Sequence, residues 1–225
     1  VITEVDVTVH LKTVNRHGLI AGATGTGKTK TLQVFVEQLS HKGIPTLVMD
    51  IKGDLSGIAV EGEQNDKINE RYSKTKLPYQ PQSFPVELMT ISAEKGLKLR
   101  ATVTEFGPVL LSKILGLNET QSSIMSIVFK YADDKALPLI DLDDLKKVLQ
   151  YVTDNAEGKK ELADNYGSIS PASLGAILRS IVAMEQQGAT SFFGEPSFDV
   201  EDLLQTRGGK GVVNVLRVAD RQNQR

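Results

Sequence analysis

The sequence predicts an α/β fold: a parallel sheet with an all-helical block inserted into it. Three observations carry that prediction. A strand, loop, helix, strand pattern runs from Val5 to Ile51; helical periodicity takes over from Thr102 to about Gly188; and a buried-strand pattern returns in "GKGVVNVLRV".

The elements follow in order. "VDVTVHL" alternates apolar and polar residues (Val5, Val7, Val9, Leu11) and reads as a strand. "GLIAGA" is a second apolar stretch, running straight into a glycine-rich loop. From Lys28 the period becomes helical, with Leu32, Phe35, Val36 and Leu39 on one face and Gly43 at the C-terminal cap position. "PTLVMDI" is a short, continuously apolar strand of the buried parallel type. "AVEGEQNDKINERYSKTKLPYQPQ" is polar, contains prolines and reads as an exposed loop, after which "PVELMTI" returns to the sheet. In the helical block, Asn118 and Gln121 form a capping box before "SIMSIVFKYA". "IDLDDLKKVLQYV" starts on aspartates, and Ser170-Pro171 is a cap followed by proline at the first helical position. The expected organisation is therefore residues 1–101 as the first part of the core, 102–190 as a helical insertion and 191–225 as a return to the sheet.

Composition narrows the function classes. Of 225 residues, 40% are hydrophobic and 24% charged, as in ordinary globular proteins. A net charge of -2 argues against a surface that clamps nucleic acid everywhere, so any such contact is local or shared among subunits. The absence of cysteine removes disulfides and thiolate metal sites and fits a reducing, cytoplasmic setting. No run reaches the ~18 apolar residues of a membrane span. Aromatics at 5%, not interleaved with basic residues, argue against a stacking platform for single strands. The chain opens on Val1 in mid-pattern and stops at "ADRQNQR", so a fragment of a longer protein is expected.

"HGLIAGATGTGKTKTL" contains G-x-x-x-x-G-K-T without a mismatch. In that motif glycines let the backbone turn tightly and bring N–H groups to phosphate oxygens. The lysine reaches the β- and γ-phosphates, and the threonine hydroxyl ligates Mg²⁺. The helix that follows points its positive end at the same charge. The expected cradle is Gly22, Ala23, Thr24, Gly25, Thr26, Gly27, Lys28, Thr29 and Lys30, with Thr29 as the metal ligand and ATP and Mg²⁺ as cofactors. The expected class is a P-loop NTPase.

"MDIKGDLSG" bears on the class. Asp50 ends an apolar strand at the sheet edge where ligands bind, which suits a Mg²⁺-coordinating Walker B aspartate; a capping or loop aspartate is the other reading. "DIKG" also matches the D-x-x-G of GTPases. Against a GTPase, Asp50 follows Lys28 by only 22 residues, and no N-K-x-D guanine reader is present.

With those residues in view, "NRHGLIAGATGTGKTKTLQ" followed by "MDIKGDLSGIA" resembles the HerA-type helicase and DNA-translocase ATPases of the HerA/FtsK superfamily, and more closely a bacterial branch of them. "LRATVTEFGPVLLSKILGLNETQ", "LIDLDDLKKVLQYV" and "FFGEPSFDVEDLLQT" are similar to the same branch. The resemblance implies a RecA-like core, ATP and Mg²⁺ at the interfaces of a hexameric ring, double-stranded DNA in its channel and a nuclease partner. It carries phosphate and metal binding to Gly25, Gly27, Lys28 and Thr29, and a catalytic role on the γ-phosphate side to Lys28, Asp50 and Asp54. One departure stands out. The family has a second apolar strand ending in Asp-Glu, whereas "VVNVLRVAD" ends in Asp220 alone, as expected if the chain stops before that motif.

Arg207, Arg217 and Arg221 are candidates for an arginine finger acting on a neighbour's nucleotide. His17, just before the loop, is a candidate base contact or an ordinary strand-entry histidine. Two other function classes are consistent with the loop: a P-loop kinase, and a nucleotide-binding scaffold without turnover.

Overall fold

A computed structural model describes residues 8–75, 79–92 and 94–218. The chain divides into two compact units, Val1–Leu88 with Val200–Arg225, and Met89–Asp199.

In the first unit, helix α1 (Lys28–His41) leads through a short turn into strand β1 (Thr46–Asp50). Gly43 closes the helix as expected. It has φ +73°, its N–H donates to the Ser40 carbonyl (2.9 Å), and Ile44 N–H reaches back to Leu39 (3.0 Å), a Schellman ending. The buried face of α1 is Gln33, Val36, Leu39 and Ser40, with Leu32 partly covered. Phe35, expected on that face, lies outside it at 36% exposure. Two polar residues take the inward positions because each finds an acceptor: Gln33 Nε2 donates to the Asp54 carbonyl (2.8 Å) and Ser40 Oγ to the Gly211 carbonyl (2.6 Å).

Strand β1 pairs in parallel with β6 (Val213–Arg217), in the register Thr46 to Val213 through Asp50 to Arg217. The predicted buried strand near the end is therefore present, with Val213, Asn214 and Val215 all at 1% exposure or less. Just before it, β4 (Thr206–Arg207) and β5 (Lys210–Gly211) form a small antiparallel pair that the sequence pattern did not suggest. Strand β2 (Val86–Thr90) follows β6 in the sheet, as "PVELMTI" predicts, and β3 (Leu97–Lys98) adds to β2 in parallel. The order β1-β6-β2-β3 gives a four-stranded sheet in an α/β arrangement. Val36 and Val48 join Leu55, Ile58, Phe84, Val213 and Val215 in the first unit's core.

Three expectations for this unit need correction. "GLIAGA" forms no strand: Leu19 is 90% and Ile20 43% exposed, and no described strand pairs with it. A strand exists only where a neighbour accepts its hydrogen bonds, which an apolar composition alone does not guarantee. Of "VDVTVHL", Val5–Val7 lie outside the described residues, and Leu11–Thr13 form a 3-10 turn. The polar loop contains helix α2 (Asp66–Thr75), which buries no residue and carries an exposed Lys74–Glu70 pair at i,i+4.

The second unit is built from α3 (Val103–Ile114), α4 (Glu119–Asp134), α5 (Leu142–Asp154), α6 (Ala156–Asn165) and α7 (Pro171–Gln186). The capping box at Asn118 and Gln121 and the Ser170 cap with proline behind it are present. Further boxes start α3 (Thr102 with Glu105) and α5 (Asp141 with Asp144). Helix α3 kinks at Gly107-Pro108, as a proline in a helix interior requires. Leu111, Met125, Val128, Leu145, Leu149 and Ile177 form the centre of this unit's core, all fully buried.

Candidate functional site

The loop from Gly22 to Thr29 reaches α1 through Gly27, whose φ of +90° and ψ of 23° put it in the left-handed region. Gly25 has φ +80°. Side chains strain such conformations, and at neither position would a Cβ meet another atom, so backbone conformation selects glycine there. At Gly22 the reason is different: a Cβ would lie 2.5 Å from Thr26 Oγ1, which is held by a 2.8 Å bond to the Ala23 carbonyl.

The result is an unusual helix start. Each of α3 to α7 has a side chain accepting from its first-turn amides, whereas α1 has none. The N–H groups of Lys28, Thr29 and Lys30 have no intrahelical acceptor either, as at any helix start. They carry the positive end of the helix dipole, in a loop whose residues Gly22–Thr26 are exposed. Lys28 Nζ folds back onto the Ala23 carbonyl at 2.8 Å, placing an ammonium over the loop. The Thr29 hydroxyl makes no hydrogen bond among the described residues, and Thr31 Oγ1 bonds to the Gly27 carbonyl (3.1 Å). Free amides, an ammonium on the loop and strain-free glycines fit a polyphosphate. For a divalent cation the chain offers the Thr29 hydroxyl, with no cluster of three or more acidic or histidine ligands among the described residues.

Asp50 lies at the C-terminal end of β1, as the sequence places it, but its carboxylate turns inward. It is 3% exposed; Oδ1 accepts from Lys52 N–H (3.2 Å) and Gly53 N–H (2.8 Å), and Oδ2 from Leu55 N–H (3.0 Å). This is the arrangement of a loop-holding aspartate, the second of the two sequence readings. Asp54 and Lys52 lie in the loop so formed, both exposed and without a side-chain partner among the described residues. Gln33, from the second turn of α1, holds the same loop through the Asp54 carbonyl. The sequence reading missed Gln33; its signal was a polar residue between partly covered Leu32 and buried Val36.

The remaining candidates are spread out. Arg207 is ion-paired with Glu87 at 2.7 Å, Arg221 and Asp220 lie outside the described residues, and Arg217 ends β6. His17 is exposed and has no described partner. A cavity of about 650 Å³ lies in the helical unit, lined by Glu105, Asp133, Glu195, Phe129 and Leu137 among others. It has three carboxylates and no lysine or arginine, the wrong sign for phosphate. No described helix is long and apolar enough to cross a membrane.

No curated protein and no solved structure matches the chain. The profile of the helicase HerA-like C-terminal family matches residues 2–225, and the chain belongs to that family.

Proposed function

We propose that this chain is the nucleotide-binding part of an ATP-driven motor that moves along or unwinds double-stranded DNA as a hexameric ring. The observation that carries the reading is the uncapped first turn of α1 beneath Lys28, preceded by glycines in left-handed conformations. Membership of the helicase HerA-like C-terminal family supports the motor class. Bound ATP with Mg²⁺ supplies the phosphoanhydride and the charge that neutralises it. Toward that ligand the chain contributes the amides of Lys28, Thr29 and Lys30, the Lys28 ammonium in place of its contact with Ala23, and the Thr29 hydroxyl for the metal. The loop residues Ala23, Thr24 and Thr26 line the cradle. Of the two acidic candidates on the γ-phosphate side, Asp54 has the accessible carboxylate, while that of Asp50 is engaged by three amides.

With a net charge of -2, a single subunit is a poor DNA binder, and a ring in which each subunit lends a few basic residues answers that. DNA binding then weakens steeply with salt as counterions are released. Hydrolysis also needs a group to position water and a positive charge at the transition state. We assign these to an Asp-Glu strand end and a neighbour's arginine, with a nuclease as the ring's working partner in the cytoplasm.

The test uses the intact protein. Lys28→Ala should lose at least a hundredfold in affinity for a fluorescent ATP analogue, about 2.7 kcal/mol, and wild-type turnover should rise with duplex DNA. Wild-type affinity in Lys28→Ala would move the nucleotide elsewhere. Turnover indifferent to DNA would favour a kinase, and binding with no turnover a scaffold.

A further inference from the structure

We propose that Asp50 is a positioning residue for the phosphate site, acting through the loop Ile51–Leu55 and its tie to α1. This rests on the nucleotide reading of the loop Gly22–Thr29. The carboxylate is too occupied for a metal ligand or a base: three backbone amides at 2.8 to 3.2 Å surround it, and only 3% of the residue is exposed. A buried carboxylate is costly unless its lone pairs are satisfied, and here N–H groups from one short segment satisfy it. The charge is therefore invested in the shape of the segment.

That shape is transmitted to the helix that carries the phosphate-binding residues. Gln33, itself 7% exposed, spans from α1 to the Asp54 carbonyl, 2.8 Å away, and lies four residues after Thr29. At about 1.5 Å per residue, the tie sits roughly 6 Å along the helix axis from the metal-binding threonine. Leu55, whose N–H completes the carboxylate's set, is anchored at 4% exposure in the core with Val36 and Val48. The segment is thus fixed at three points: strand end, helix and core. Between them, Lys52 and Asp54 are the exposed charges whose position the fixation defines. Asp50 and Gln33 form one device, and loss of either loosens the loop relative to α1.

The experiment compares wild type, Asp50→Asn, Gln33→Ala and the double variant in the intact protein. Affinity for a fluorescent ATP analogue is measured with and without Mg²⁺, and hydrogen exchange is followed at the Lys52, Gly53 and Leu55 amides. Asparagine keeps the volume and one acceptor but turns the other oxygen into a donor facing an N–H. Each single variant should lose about tenfold in affinity, as for a hydrogen bond to a charged or buried group, equally with and without Mg²⁺. The double variant should be no weaker than the weaker single one, because both act through one loop. Faster exchange at the three amides in Asp50→Asn would mark the loosened segment.

A loss in Asp50→Asn confined to Mg²⁺, with Gln33→Ala binding like wild type, would make Asp50 a metal ligand and overturn the proposal. Faster exchange with unchanged affinity in both variants would reduce the device to a structural one. Should Asp50→Asn fail to fold, Gln33→Ala decides by itself, since its truncation leaves Asp50 and its three amides intact. A wild-type chain that binds no analogue defeats the nucleotide reading and this role together, whereas a binding wild type with unaffected variants defeats this role alone.

Discussion

A Cβ on Gly211 would lie 2.2 Å from the carbonyl carbon and oxygen of Ile44 and 2.5 Å from the Pro45 nitrogen. These are backbone atoms at the turn between α1 and β1, so they cannot move aside as a side-chain end would. The Gly211 carbonyl also receives the Ser40 hydroxyl at 2.6 Å, which fixes β5 against α1. Gly211→Ala should therefore destabilise the protein by about 1–3 kcal/mol, the usual range for overpacking, read as a lower denaturant midpoint at unchanged slope. Gly18, where a Cβ would meet nothing within 4 Å, is the control: Gly18→Ala should leave the midpoint where it is. Asp50 shows how a residue's environment assigns its role: a carboxylate at a strand end can face solvent or its own loop, and three amides show that it faces the loop.

Among the elements, the helices divide by how they begin. Asn118 Oδ1 accepts from Gln121 N–H at 2.9 Å, and Gln121 Oε1 accepts from Asn118 N–H at 3.1 Å, so two donors that α4 leaves unmatched are satisfied reciprocally. Asn118→Ala should cost about 1 kcal/mol of stability, measured by chemical unfolding, without changing nucleotide affinity. An equal cost for Gln121→Ala would fit the reciprocal geometry, and none for either would contradict it. Helix α1 begins without such a cap: Gly27 offers no side-chain acceptor, so its first-turn amides are left open where those of α3 to α7 are partly satisfied.

For the molecule as a whole, each unit has its own core, and the helical one contains a titrating group that can report on its folding. Tyr131 is 2% exposed and donates its hydroxyl to Glu161 Oε2 at 2.9 Å, while Lys135 pairs with the other carboxylate oxygen at 2.8 Å. Burial first, and then the bond to a negative partner, push its ionisation from 10.0 up to about 12. The phenol is an acid whose folded value is raised, so the unfolded chain gives up its proton first. Its contribution is complete below pH about 10 and is lost as pH rises toward about 12. Unfolding free energy measured across that window should fall with pH, and Tyr131→Phe should flatten the decline. Tyr166, raised in the same direction by its bond to Asp134, leaves a residual slope. An unchanged slope in Tyr131→Phe would mean that another group titrates there.

What the sequence determined by itself lies close along the chain. The glycine-rich loop before α1, the Schellman ending at Gly43, the capping box at Asn118 and the helical run through α7 are each specified within a few residues, by backbone freedom, by one side chain reaching its own helix start, or by a repeating period. Even the loop-holding geometry of Asp50 is local, since its three amides come from Lys52, Gly53 and Leu55. Only the direction of its carboxylate was left open in the sequence. The tertiary structure decided what depends on distant partners. Whether "GLIAGA" pairs as a strand depends on a neighbouring strand, and the described sheet supplies none. Gln33 displaces Phe35 from the inner face of α1 because an acceptor from Asp54 meets it there, 21 residues away in sequence, just as Gly211 meets Ser40 across 171. Periodicity measures apolar character, which favours burial everywhere alike; a hydrogen-bond partner is a single atom at a single place, and only the folded chain puts it there.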